Sequence, residues 1–240
     1  MKYFLIFLYS FSALSAPNNF GVAKTALKEK VYLKKSRTFY CDCEYQKQTV
    51  KLKDCKLNTK HFKKRQTRLE WEHIVPVAAF GHSFKEYREY KTLCARKGKR
   101  ALSPRKCASK LNPLFREMEG NVHNLVPAVG AINALRSHFS FKNLGEKAEL
   151  LCEKGMRLLD RKVEPPKNRK GDVARIYLYM NEKYPNRGIV SKANQSLFSG
   201  WNLIDPVDND ECLLHELKSK IQADSNPFVI TACAALLHKN

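Results

Sequence analysis

No stretch of this chain stays apolar for the roughly 20 residues that a membrane-spanning helix needs, which argues against an integral helical membrane protein. Glycine and proline are scarce, ten of each in 240 residues, so the chain is neither collagen-like nor a linker. Acidic residues are few: 23 Asp+Glu stand against 44 Lys+Arg, a formal charge of +21 at pH 7. No C-x2-C pair occurs, which argues against the common zinc frameworks. Neither a G-x-S-x-G elbow nor a glycine-rich phosphate loop is present. His215-Glu216 begins like the zinc signature H-E-x-x-H, but Ser219 stands where the second histidine must be.

What is there is enough to fold. The chain is 43% hydrophobic and 10% aromatic, which excludes a disordered protein and supplies a core for one large domain. Without internal repeats or a low-complexity linker, the reading is a single α+β domain, mainly helical, with a small antiparallel sheet. Lys2 leads a short apolar run ending in the small residues Ala13, Ser15 and Ala16. That pattern predicts an export signal over 1–15, cut after Ser15 or after Ala16, ahead of a domain over 17–240. Eight cysteines in an exported chain imply up to four disulfides. Cys41 and Cys43 lie two apart, so on a strand they share a face and bond to different partners. The setting predicted is periplasmic or secreted.

Apolar spacing places the elements. Residues 19–33 read as a helix capped by Asn19, with Phe20, Ala23, Leu27 and Val31 on one face. Residues 38–45 and 50–53 read as strands, and residues 69–80 as an apolar segment broken at Pro76. Asn112-Pro113 caps a short helix through Met118, and Pro127 is read as opening another with Val129, Ile132 and Leu135. Asp172 is read as capping a helix with an apolar stripe of Val173, Ile176, Tyr177, Met180 and Tyr184. Further helices fit 191–201, 211–221 and 227–237.

Charge is polarised along the chain. Residues 60–68 hold five basic residues, and residues 85–110 hold ten Lys/Arg against two Glu, read as a basic loop region tied by disulfides. Residues 205–216 carry five acids and no Lys or Arg. Such a separation favours one anion-binding face, and a polyanion as the partner.

Two polar islands interrupt apolar sequence: Glu70-Trp71-Glu72-His73-Ile74-Val75-Pro76 and Asn121-Val122-His123-Asn124-Leu125-Val126-Pro127. A carboxylate directly before an imidazole is either an ion-paired structural unit or a reactive site. Two such islands would present Glu72, His73 and Asn124 to one cleft. Trp71, Phe80 and Trp201 read as core. His61, His138, His215 and His238 read as surface or capping residues, and His82 as part of a turn.

These residues, in this order, carry a resemblance. Together with Phe39-Tyr40-Cys41-Asp42-Cys43, Gln66-Thr67-Arg68, Met118-Glu119, Arg136-Ser137, 174–180 and Asn226-Pro227-Phe228-Val229, they resemble the endonuclease I family of periplasmic and secreted bacterial nucleases. That family is built on an embedded ββα-metal (His-Me finger) motif. The resemblance implies a sugar-nonspecific endonuclease that hydrolyses phosphodiester bonds in DNA and RNA and leaves 5′-phosphate ends. It implies His73 as general base, Arg100 as a second catalytic residue at the phosphate, and Glu72 and Asn124 as ligands of one Mg²⁺, with Mn²⁺ or Ca²⁺ as substitutes. Arg68, Lys99, Arg105 and Arg136 are then expected at the substrate, with Glu70 and His123 supporting the site. The chemistry suits the residues: neutral histidine is a competent base near pH 7. Mg²⁺ is commonly held by one or two protein carboxylates plus phosphate oxygens.

Against the family pattern, Lys99 replaces a small residue and Asn121 an acidic one, which predicts a more positive substrate face. The expected partners are DNA and RNA bound through phosphates, with no membrane, and the expected state is a monomer. Two other classes compete: a catalytically silent secreted nucleic-acid-binding protein, and a cationic membrane- or glycan-binding toxin. The intact Glu72, His73 and Asn124 speak against the first, and the core-facing helix at 172–184 against the second.

Overall fold

Asn19 starts the first helix as its side chain suggests: Oδ1 accepts from the Val22 amide at 3.0 Å, satisfying a donor that the helix cannot. Helix α1 (Phe20–Ala26) runs on into a single wide turn, Leu27–Val31. Its inward face buries Ala23, Leu27 and Val31 against Val122, Leu125 and Ile221, at the predicted spacing. The computed structural model describes residues 16–33, 36–53 and 55–237. The predicted export signal and His238 lie outside them.

Strands β1 (Tyr45–Gln46) and β2 (Thr49–Val50) pair antiparallel. Residues 39–41 turn instead of extending, so Cys41 and Cys43 do not share a strand face. They nonetheless bond to different partners, Cys152 and Cys55. A 3₁₀ turn at Lys63–Arg65 leads into β3 (Leu69–His73). The basic segment that follows is helical rather than a loop: α2 (Val77–Gly81), α3 (Lys85–Arg88), α4 (Tyr90–Leu93) and α5 (Pro104–Leu111). Only residues 95–103 form an exposed loop, closed by Cys94–Cys107. Helix α6 (Pro113–Glu119) begins at the predicted cap, where Asn112 Oδ1 accepts from the Phe115 amide at 3.1 Å.

Pro127 does not open a helix. It lies within β4 (Leu125–Val129), which pairs antiparallel with β3, Trp71 opposite Pro127 and His73 opposite Leu125. Proline fits this two-stranded edge because it owes no ladder N–H, and its carbonyl accepts from the Phe39 amide at 2.8 Å. Helix α7 (Gly130–Arg136) follows directly, so β3, β4 and α7 form a strand–strand–helix unit. A third sheet, in the order β5 (Ser140–Phe141), β8 (Lys162–Glu164), β7 (Arg157–Leu159), β6 (Glu149–Leu150), contains one parallel pair, β5 with β8. The architecture is therefore α+β as expected, with three small sheets among the described residues in place of one.

Helix α8 (Lys170–Lys183) begins two residues ahead of Asp172, which sits in its first turn and not at its cap. Every residue from Lys170 to Met180 is buried, so the helix runs through the core instead of presenting one stripe. Helix α9 (Lys192–Ile204), capped by Ser191, packs on it. Helices α10 (Asn209–Gln222) and α11 (Pro227–Leu237) complete the chain and are joined by Cys212–Cys233.

Candidate active site

β3 ends in Glu72 and His73, the pair singled out from the sequence. Alternation along a strand sends neighbours to opposite faces, so Glu72 and His73 diverge although they are adjacent. His73 turns toward α1 and the end of α6. Its Nε2 lies 2.9 Å from the Glu119 carbonyl oxygen. A carbonyl only accepts, so Nε2 carries the proton and Nδ1 keeps the lone pair. The Phe20 ring packs against the imidazole at 4.7 Å between centroids. Burial, and then the nearby Arg105 guanidinium, push the His73 pKa down to about 3. The ring is therefore neutral at pH 7, as a general base must be.

Glu72 turns the other way, into the interface between β3 and α7. Only 4% of it is exposed, and burial raises its carboxyl pKa to about 7 against the pull of Arg136. The Arg136 Nε forms an ion pair with Glu72 Oε1 at 2.9 Å, but without the alignment of a hydrogen bond, so neither atom has a hydrogen-bond partner among the described residues. The rest of the guanidinium is anchored: Nη2 donates to the Ile74 carbonyl at 2.5 Å and Nη1 to the Ser137 carbonyl at 2.9 Å. Arg136 is wholly buried. It lies beside the Glu72 carboxylate inside the fold, not on the outer face where a substrate contact was expected.

The second polar island is interior. The Asn124 amide is spent on one backbone residue: Oδ1 accepts from the Val75 amide at 2.7 Å, and Nδ2 donates to the Val75 carbonyl at 3.0 Å. Asn121 is fully buried and donates to the hydroxyls of Tyr179 and Tyr184, so its exchange for an acid does not alter any outer face. His123 is buried, with Nε2 3.2 Å from Asp224 and its ring 5.5 Å from that of His215. His215 is buried too, so of the surface or capping roles expected of it the surface one does not hold; it accepts from the Asn226 amide, just ahead of α11, at 3.0 Å.

The remaining predicted residues lie on two sides. Arg105 pairs through Nε with the Glu119 carboxylate and stands 5.0 Å over the Phe20 ring, which places it beside His73. Arg100 and Lys99 are exposed in the 95–103 loop. The Arg100 carbonyl accepts from Arg96 at 2.8 Å, and its side chain borders a cavity of about 370 Å³ with Arg96 and Lys106. Arg68 is exposed, 3.8 Å from Glu70. Glu70 is held by Arg65 at 2.5 and 2.9 Å and accepts from Asn133 Nδ2 at 2.9 Å.

Asn133 was missed from the sequence. Its Oδ1 makes no hydrogen bond among the described residues, and it lies one helical turn before Arg136, the Glu72 partner. The only sequence signal is its i,i+3 spacing from Arg136, which gains meaning once α7 is seen to pack on β3.

A cation can be tested against these groups. The Glu72 carboxylate fits, since it is buried with an oxygen lacking a hydrogen bond. Of the amides, Asn124 has both atoms engaged, whereas Asn133 has an oxygen to give. No three His, Cys, Asp or Glu residues converge among those described, so an ion here would complete its shell with amide, water or substrate oxygens.

A neutral imidazole with its accepting nitrogen free of hydrogen bonds, set among cations, is a group that could serve hydrolysis of an anionic ester. A family model described as Endonuclease I matches residues 19–233, and the chain belongs to that family. It is thus a nuclease, a phosphodiester hydrolase. It is 34% identical over 221 residues to an extracellular deoxyribonuclease of Aeromonas hydrophila, covering 89% of this chain and 90% of the relative. It is 35% identical to the endonuclease-1 of Buchnera aphidicola subsp. Acyrthosiphon pisum (strain APS), covering 90% and 82%. A periplasmic deoxyribonuclease of A. hydrophila is 31% identical, covering 85% and 82%. With four disulfides, the protein fits the same periplasmic or secreted setting.

Proposed function

We propose that the protein is an exported endonuclease cutting DNA, and RNA as well, with His73 as general base and one divalent cation, Mg²⁺ first, at Glu72. The observation that carries this reading is the fixed imidazole: its proton is committed to the Glu119 carbonyl, so Nδ1 is the nitrogen left to take one from water. Neutrality at physiological pH keeps that nitrogen ready, and general-base assistance contributes about 10²–10⁴-fold. Arg105, beside the base and 43% exposed at its side chain, meets the scissile phosphate. Arg100, Lys99 and Arg68, on exposed basic segments, bind the flanking phosphates. Such contacts carry no base information, which agrees with cutting irrespective of sequence.

Glu72 holds the cation, and the amide oxygen that joins it is Asn133, with Asn124 bracing the strand instead. When bound, the ion supplies Lewis acidity at the phosphate and stabilises the departing 3′ oxygen. The products are then 5′-phosphate and 3′-hydroxyl ends. The relatives named deoxyribonucleases support DNA as substrate, and contacts made to phosphates alone would admit RNA.

Supercoiled plasmid incubated with purified oxidised protein at low salt, with Mg²⁺ or with EDTA, tests the reading. Cutting is expected with metal alone. His73→Ala and Glu72→Gln should each abolish it while plasmid retardation persists. Retarded but uncut plasmid in both lanes, unrescued by Mn²⁺, would favour a silent binding protein.

A further inference from the structure

We infer that Phe20 is a positioning residue for His73, and that α1 is thereby part of the active site. This rests on the reading of His73 as general base. Three observations converge on the imidazole. The Phe20 ring lies against it at 4.7 Å, tilted by 39°, so one face of the base is covered by a flat apolar wall. The Glu119 carbonyl fixes its edge through Nε2. Two cations then sit over the Phe20 ring itself, Lys24 Nζ at 4.6 Å and the Arg105 guanidinium at 5.0 Å. Cations over an aromatic face are attracted by its quadrupole, so they hold the wall in place while remaining at the substrate side.

The wall and the carbonyl are also fastened to one another. A Cβ on Gly120 would lie 2.8 Å from the Asn19 carbonyl carbon and 2.9 Å from its oxygen. Only glycine lets the cap of α1 rest on the residue that follows Glu119. The imidazole is thus gripped between two elements that meet at Asn19 and Gly120, and neither of its two torsions is left to solvent. Helix α1 is anchored chiefly by Ala23 and Leu27, both wholly buried, with Phe20 partly buried against the same cluster.

The expected result follows from that division of labour. Phe20→Ala should lower kcat about tenfold to a hundredfold, the usual cost of a base displaced by about an ångström. KM for plasmid should stay near that of the parent, and the Leu variant, which keeps apolar bulk on the cluster, should keep the parental melting temperature. Phe20→Tyr, which keeps the ring, should restore kcat; Phe20→Leu, which keeps apolar bulk without a flat face, should not. The His73 ring-proton resonances should lose their aromatic ring-current shift in the Leu variant and keep it in the Tyr variant. A Leu variant with parental kcat, or losses of kcat that track falling melting temperature across the series, would overturn the inference. A His73→Ala control that still cuts would instead overturn the parent reading of the base.

Discussion

A histidine buried among cations binds protons poorly, and three do so here. Burial pushes His73 and His123 down to about 3 and His215 to about 4, where the unfolded chain titrates near 6.5. Between those values the unfolded chain binds more protons than the fold, so stability rises with pH through this window. It is fully present above about 6.5 and is lost as pH falls toward 4 and 3. Glu72 works in the opposite sense. Its pKa, raised to about 7 by burial, lets the fold hold a proton that the unfolded chain releases near 4.5, so its share of stability falls as pH rises from 4.5 to 7. The two effects oppose each other between pH 4.5 and 6.5, and only the histidine effect operates below. In the metal-free protein, the His73 imidazole should show no protonation shift by NMR from pH 8 to 5. A midpoint inside that range would contradict a base kept neutral by its surroundings.

At the scale of elements, the pairing of β3 with β4 does two jobs. Its register sets Glu72 opposite Val126 and His73 opposite Leu125, and its far end is stapled where Asn124 closes both hydrogen bonds of Val75. Asn124→Ala strands a buried amide and a buried carbonyl, at about 1–3 kcal/mol for each unsatisfied group, and should lower the urea midpoint markedly. Asn133 lies half-buried on α7, so Asn133→Ala should leave that midpoint almost unchanged while weakening Mn²⁺ affinity by calorimetry. The reverse pattern would return the ligand role to Asn124. Local sequence made much of this legible. The caps Asn19 and Asn112, and the two polar islands, work through near neighbours. Pro127 misled because proline favours the first turn of a helix as well as an edge strand, and only its cross-strand partner Trp71 decides between them. Arg136 misled for a similar reason: a basic residue in a basic protein reads as surface until the carboxylate that buries it, 64 positions earlier in the chain, is seen beside it.

Over the whole molecule, the disulfides divide into one long bridge, whose loop contains the candidate site residues, and three short ones. Cys41–Cys152 spans 111 residues, and within that loop lie Glu72, His73, Glu119, Asn124, Asn133 and Arg136. Cys43–Cys55 and Cys94–Cys107 close loops of 12 and 13 residues, and Cys212–Cys233 one of 21. Restricting the unfolded chain stabilises the fold more for longer loops, by about 4.7 kcal/mol for a 100-residue loop against about 3 for one of 15. The Cys41→Ala/Cys152→Ala double variant should therefore lose more unfolding free energy in urea than Cys94→Ala/Cys107→Ala, by about 1–2 kcal/mol. Its cleavage should vanish at the temperature where the fold is lost. The Cys94/Cys107 variant keeps its core, because that bridge borders the exposed loop carrying Lys99 and Arg100, and should be read out as weaker plasmid binding. A nuclease whose catalytic groups are enclosed by one long disulfide loop would stay inactive while its thiols are reduced. Such an arrangement would spare the DNA of the producing cell until export. Full cleavage by protein held in reductant, with all eight thiols free, would rule it out.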